Sequence, residues 1–210
     1  MRVTKHEHAF LQLELNGAQL LMDPGSYTTE LPETKNVVAI TLSHVHDDHS
    51  YLPHIQKLLS KYPKARVFGP SEVARKLSGV EVIRCHHGDR HEVSGFIIDF
   101  FGYHHQEIHR SIPLAENLGV KVNNLYYPGD SYTIPETQVD VLACPSSAPW
   151  LRISDVIDFL TATKPRVCFP THNSLLSEAG HALQNSRIQE FTERFGGRFS
   201  YLLPGDSIEI

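Results

Sequence analysis

Apolar positions along the chain come in short blocks that switch between a period of two and a period near 3.6. Residues 9–15 and 19–22 are apolar runs joined at Asn16-Gly17, a dipeptide suited to tight hairpin turns, and they predict a β-hairpin. Asp23-Pro24-Gly25 stops the second strand. Residues 37–42 form a short run rich in β-branched side chains and predict a buried strand, after which Leu52, Ile55 and Leu59 fall on one helix face. Strands at 65–68 and 81–84 flank a helix that Ser71 would cap. Residues 96–101 give another strand, 118–122 and 125–127 a second hairpin about Asn123-Asn124, and 139–143 a further strand. Ile153, Val156, Ile157 and Leu160 set a helix over 154–162, and Pro165 blocks its continuation. A strand at 166–169 precedes a last helix that carries Ile188, Phe191 and Phe195 and closes at Gly196-Gly197. Two short strands around Pro204-Gly205-Asp206 complete the pattern.

Hairpins first, then strands alternating with helices, predict two sheets packed face to face with helices outside. No linker, repeat or low-complexity segment interrupts the 210 residues, so a single domain over 1–210 is expected. The composition, 40% hydrophobic and 20% charged, is that of an ordinary globular chain. A net charge of −5 without any Lys/Arg-rich run speaks against a nucleic-acid partner. Three cysteines without C-x-x-C spacing argue for a reducing compartment rather than a disulfide framework. The opening residues lack an apolar core of the signal-peptide kind, and no apolar run reaches membrane-spanning length. The expectation is a cytoplasmic protein that acts on a small molecule, without a membrane partner, and by base rate a homodimer.

Histidine changes this bland picture. Most of the 14 histidines cluster, at 44/46/49, 86/87/91 and 104/105/109, with His172 directly after the strand at 166–169. Imidazole is the commonest metal ligand. In Ser43-His44-Val45-His46-Asp47-Asp48-His49, residues two apart on extended backbone point the same way, so His44 and His46 share a face. His44, His46, Asp48 and His49 packed this closely behind an apolar strand are costly unless a divalent cation neutralises and orders them. Nearly every candidate ligand lies just past a strand's C-terminal end, where the scaffold holds loops rigidly. His86-His87 beside Cys85 have no partner donors at metal-ligand spacing and read as surface loop.

With Asp23-Pro24-Gly25 before it, and Gly129-Asp130-Ser131 and Pro170-Thr171-His172 after it, the H-x-H-x-D-H segment resembles the signature of the metallo-β-lactamase superfamily. Within that superfamily the chain resembles the branch of small bacterial hydrolases that includes L-ascorbate-6-phosphate lactonase. The resemblance implies an α/β fold, the metallo-β-lactamase-like αβ/βα four-layer sandwich of two mixed sheets flanked by helices. It implies two divalent ions, zinc foremost, with manganese, iron or nickel also compatible with imidazole and carboxylate donors. His44, His46 and a downstream histidine would hold the first ion; Asp48, His49 and His172 the second; Asp130 would bridge them. His104, His105 and His109 are all available as the downstream ligand. The family's spacing of a histidine, three residues and a second histidine matches His105 and His109, with His105 as the ligand and His104 directed the other way. His109 is expected to contact substrate or orient a ligand, so Asp48, Asp130 and His109 form the implied catalytic set. Asp23 would accept a hydrogen bond from a ligand imidazole, and Asp47 would face outward.

The activity implied is hydrolysis by a metal-activated hydroxide of a small-molecule lactone, ester, amide or phosphoester bond. The alternatives are a phosphodiesterase or nuclease of the same superfamily, and a non-catalytic metal-binding module, which the complete ligand set argues against. Trp150, the only tryptophan, is expected either to stack on substrate or to lie in the core, and Asn117 and Asn173 are read as polar groups of the pocket.

Overall fold

Asn16 and Gly17 both take positive φ, 50° and 76°. That twist lets a two-residue loop join antiparallel strands, and it pairs β2 (Leu11–Leu15) with β3 (Ala18–Met22). The computed structural model describes residues 1–210. Around this hairpin the first half of the chain adds β1 (Arg2–Lys5), β4 (Val37–Thr41), α1 (Leu52–Lys61), β5 (Arg66–Gly69), α2 (Ser71–Lys76) and β6 (Val82–Arg84). The second half supplies β7 (Arg90–Val93), β8 (Phe96–Phe101), β9 (Gly119–Val122), β10 (Leu125–Tyr127), β11 (Val141–Pro145), α3 (Ile153–Thr163), β12 (Val167–Thr171), α4 (Glu178–Arg194), β13 (Arg198–Phe199) and β14 (Ser207–Glu209). Two seven-stranded sheets result, in the orders β14-β1-β2-β3-β4-β5-β6 and β13-β12-β11-β10-β9-β8-β7. Both are mixed, and together with the helices they make the α/β sandwich that the resemblance implies.

Strand alternation sorts the side chains into three apolar layers. Leu20 and Met22 of β3, Phe96, Ile98 and Phe100 of β8, and Val141 and Ala143 of β11 meet between the sheets. Their neighbours point the other way. Leu21 and Ile40 pack with Ile55 and Leu58 of α1, while Tyr126, Leu142 and Cys168 pack with Val156, Phe159 and Leu160 of α3. One sheet–sheet core and two sheet–helix cores are the signature of four layers. Each fully buried Phe or Leu contributes about 1.5–3 kcal/mol of transfer free energy, so these layers dominate the favourable side of folding.

Two details differ from the sequence reading. Ser71 lies inside the first turn of α2 and caps nothing; Pro70 occupies the cap position with extended backbone. β1 and β7 were not apparent in the pattern, because each is four residues long and largely polar. Elsewhere local chemistry acts as expected. α3 ends with Lys164 in the left-handed region immediately before Pro165.

Topology then decides where a site can form. β1 runs antiparallel to β2, β2 to β3, and β3 parallel to β4, so β1, β3 and β4 all end at one edge of their sheet. By the same logic β8, β10, β11 and β12 end together in the second sheet. Their following loops carry His8, Asp23, the 44–49 segment, His105, Asp130, Trp150 and His172.

Candidate metal centre

These loops converge. The ligand-type atoms of His44, His46 and His105 lie within 4.8 Å of one another, and so do those of His8, Asp48, His49 and His172. Asp130 sits between the two sets. Its Oδ2 is 3.3 Å from His105 Nε2 and 3.1 Å from His172 Nε2, and its Oδ1 is 3.2 Å from His49 Nε2. Asp48 Oδ2 is 3.5 Å from His172 Nε2 and 3.6 Å from His49 Nε2. In the first set His44 Nε2 faces His46 Nδ1 across 3.1 Å.

The outer nitrogens fix which inner atoms are bare. His105 Nδ1 donates to the Gln106 carbonyl and His172 Nδ1 to the Ser147 carbonyl, each at 2.5 Å. A carbonyl only accepts, so the proton is on Nδ1 and the Nε2 lone pair points inward. His49 Nδ1 donates to Asp23 Oδ2 at 2.7 Å. Asp23 also takes the Ser43 backbone N–H at 2.7 Å and the Ser43 hydroxyl proton, which leaves Ser43 Oγ to accept from His44 Nδ1 at 3.0 Å. Buried Asp23 thus sets the tautomer of two imidazoles, one directly and one through Ser43. Asp23, His44 and His49 also lie close enough to suggest a third ion, but both Asp23 oxygens are already spent on these donors.

Four buried atoms of the cluster, His49 Nε2, His105 Nε2, His172 Nε2 and Asp130 Oδ1, have no hydrogen-bond partner. Such orphans cost about 1–3 kcal/mol each, and here they face a common centre. Divalent cation binding at that centre would satisfy them, and a donor set of imidazoles and carboxylates without thiolate suits borderline ions such as zinc. Electrostatics agrees. Burial would raise the Asp130 carboxyl, yet His172 and His49 hold it well below the usual carboxylate range. Burial alone would lower His172, but Asp130 and Asp48 raise it to about 10. A proton and a cation therefore compete for the same lone pairs, and ion uptake releases protons.

Residues 2–172 match the family model described as the beta-lactamase superfamily domain. The chain belongs to the beta-lactamase superfamily. It is 31% identical over 198 residues to protein Rv0786c of Mycobacterium tuberculosis, covering 91% of this chain and 93% of that protein. It is 40% identical over 98 residues to a metal-dependent hydrolase of Bacillus cereus, a match spanning 44% of this chain and 42% of that one. The metallo hydrolase Igni18 of Ignicoccus hospitalis superposes with a TM-score of 0.75 at 16% identity, covering 99% and 97% of the two chains. At that identity the likeness is one of fold.

Within this beta-lactamase superfamily fold, the structure brings together His44, His46, Asp48, His49, His105, Asp130 and His172, and leaves other histidines out. His104 is exposed. His109, expected to touch substrate or a ligand, is also exposed and pairs with Ser111 at 2.7 Å; it orients no member of the cluster, because the chain turns outward after Gln106. Asp47 faces solvent and pairs with Lys76 at 2.5 Å. Asn117 is not a pocket group but a buried brace. Its Nδ2 donates to the Pro128 carbonyl and its Oδ1 accepts the Asp130 N–H, both at 3.0 Å. Trp150 is buried and donates from Nε1 to Asp130 Oδ2 at 2.9 Å, so it holds the central carboxylate. Near the second histidine group, Cys85 approaches Asp89 and His91 rather than His86 or His87. Burial pushes the Cys85 thiol up to about 12, and one Asp89 oxygen accepts the His86 N–H at 2.8 Å.

Asn117→Ala strands the buried Asp130 N–H and leaves the Pro128 carbonyl with Ser131 Oγ alone, and is expected to destabilise the fold by about 1–3 kcal/mol. Urea unfolding measures this, and a loss below about 0.5 kcal/mol, the level of a neutral surface change, would contradict the bracing role.

Proposed function

We propose that the chain is a dinuclear metal-dependent hydrolase acting on a small-molecule lactone, ester, amide or phosphoester bond. The observation that carries this reading is the set of partnerless buried atoms on His49, His105, His172 and Asp130, all directed at one centre. His44, His46 and His105 hold the first ion, Asp48, His49 and His172 the second, and Asp130 spans the two sets. Zinc is the proposed ion, and manganese, iron or nickel would also suit these nitrogen and oxygen donors. The relatives described as metal-dependent or metallo hydrolases support the same chemistry.

When bound, the two ions supply a water nucleophile acidic enough to ionise near neutral pH and a Lewis acid for the oxygen under attack. The protein's own residues decide where that happens. His44 and His49 form a fully buried floor, whereas His46 and Asp48 are partly exposed, so substrate approaches over the latter pair. Beside His46, an open cleft of about 570 Å³ is lined by the apolar Val45, Ile112, Pro113 and Leu114 and by the charged Glu72, Arg75 and Lys76. Arg75 there faces Glu72 and Glu116 at 3.9 and 3.8 Å, so the mixed apolar and charged lining fits a small substrate with an apolar part and a polar one. Asp48 and Asp130 serve the reaction through the ions they hold.

Chelator-free protein is expected to carry about two transition-metal ions per chain. A panel of lactones, thioesters, phosphodiesters and β-lactams should then show chelator-sensitive turnover of lactones or esters ahead of bis(p-nitrophenyl) phosphate. Absence of bound metal would sink the reading; preference for the phosphodiester would move it to the phosphodiesterase class.

A further inference from the structure

We propose that His8 is a positioning residue of this centre, holding the Asp48 carboxylate in place for the second ion. The inference rests on the dinuclear reading above. His8 sits in the turn after β1, closed by the Phe10 N–H donating to the Glu7 carbonyl at 3.1 Å and the His6 N–H to the Phe10 carbonyl at 2.9 Å. It adopts φ 57°, a left-handed conformation that costs a side-chain-bearing residue about 1–2 kcal/mol. Three contacts with the metal cluster's loops hold it there. The His172 N–H donates to the His8 carbonyl at 2.8 Å. The Ser174 N–H donates to His8 Nδ1 at 3.4 Å, and His8 Nε2 lies 3.2 Å from Asp48 Oδ2. The ring is buried, with its centroid 3.8 Å from that of His172 and 4.6 Å from that of Tyr27.

The hydrogen bonds settle the ring's role. Only a bare nitrogen accepts an N–H, so Nδ1 carries no proton; the neutral ring bears it on Nε2, which donates to Asp48. This is the reverse of His105 and His172, whose Nδ1 protons go to carbonyls and whose Nε2 atoms are free to ligate. His8 therefore points a donor, not a lone pair, at the centre. It grips two of the three proposed second-ion ligands, Asp48 by its side chain and His172 by its backbone.

Two substitutions separate the possibilities. His8→Asn keeps a residue that tolerates the left-handed backbone and an acceptor where Nδ1 was, but it is too short to reach Asp48. His8→Gln places an amide N–H where Nε2 was. Zinc titrations of the metal-depleted chain against a chromophoric chelator are expected to show two equivalents in the parent. In His8→Asn the affinity of the second equivalent should fall about 10- to 100-fold with the first unchanged, while His8→Gln stays close to the parent. Equal metal-free thermal midpoints of the two variants would confirm that folding is not the cause. Parent-like affinities in His8→Asn would overturn the proposal. So would complete loss of the second equivalent in both variants, which would make His8 a ligand, or a matched weakening of both equivalents with a lowered midpoint, which would make it merely structural. A parent chain that binds fewer than two ions would refute the dinuclear reading and this inference with it; the other outcomes leave that reading standing.

Discussion

Asp130→Ala is expected to lower kcat/KM by about three to four orders of magnitude, or about 4–5.5 kcal/mol of barrier, and to reduce bound metal from two ions per chain to one. Asp130 is the residue that faces both donor sets, with Oδ2 toward His105 and His172 and Oδ1 toward His49. Without it, one of the two carboxylates that would offset the proposed cations is gone, leaving Asp48, and the Trp150 N–H loses its acceptor. Asp130→Asn keeps the volume and a carbonyl for Trp150 while removing the charge, so a loss of metal there isolates electrostatics from packing. Metal content by elemental analysis and steady-state rates on the best panel substrate measure both effects. Activity within tenfold of the parent in either variant would show that the ions do not share this carboxylate.

The fold was legible wherever local chemistry and burial demanded the same pattern. Phe96, Ile98 and Phe100 announce β8 because alternate residues face the sheet–sheet core, and Asn16-Gly17 announces its hairpin because the turn needs positive φ. β1 was not legible. Its four residues alternate between exposed and buried, but Val3 is the only apolar side chain among them. That gap hid His8, although the rule that drew attention to the other residues, a polar group just past a strand end, applies to it equally. Without β1 there was no strand end to look past.

The same asymmetry runs through the centre. His44, His46, Asp48 and His49 were readable because their spacing is local, and one short turn, closed by the His49 N–H on the His46 carbonyl at 3.1 Å, gathers them. The bracing groups act over long separations. His8 reaches Asp48 across 40 positions, and Trp150 reaches Asp130 across 20. No periodicity records such a contact; only the convergence of strand ends from two sheets creates it. Asn117 was misjudged for a related reason. A polar residue near a site suggests substrate, yet its amide satisfies the carbonyl of Pro128 and the N–H of Asp130, a need that appears only once the loop is folded.

Gly25→Ala should be the most damaging change that touches no ligand. A Cβ added to Gly25 would stand 1.7 Å from the Asp48 carbonyl oxygen and 2.5 Å from the His49 backbone nitrogen. These are backbone atoms, which no rotamer change can move aside. The neighbouring Ser26 N–H donates to the Asp47 carbonyl at 2.9 Å, so the Asp-Pro-Gly loop and the metal-motif loop are laced together at this point. The alanine must separate them, and the separation carries Asp48 and His49 away from Asp130 and pulls Asp23 from His49 Nδ1. We expect a destabilisation of about 3 kcal/mol or more, above the usual overpacking range because backbone rather than side chain has to yield. The second zinc equivalent should weaken in parallel. Gly17→Ala is the matched control. Gly17 also has positive φ, but nothing lies within 4 Å of its added Cβ, so only the left-handed backbone cost of about 1–2 kcal/mol applies and metal uptake is untouched. Urea unfolding with and without zinc compares the two. If Gly25→Ala costs no more than Gly17→Ala and binds two ions normally, then the two loops are free to move apart, and the contact between them does not position the centre.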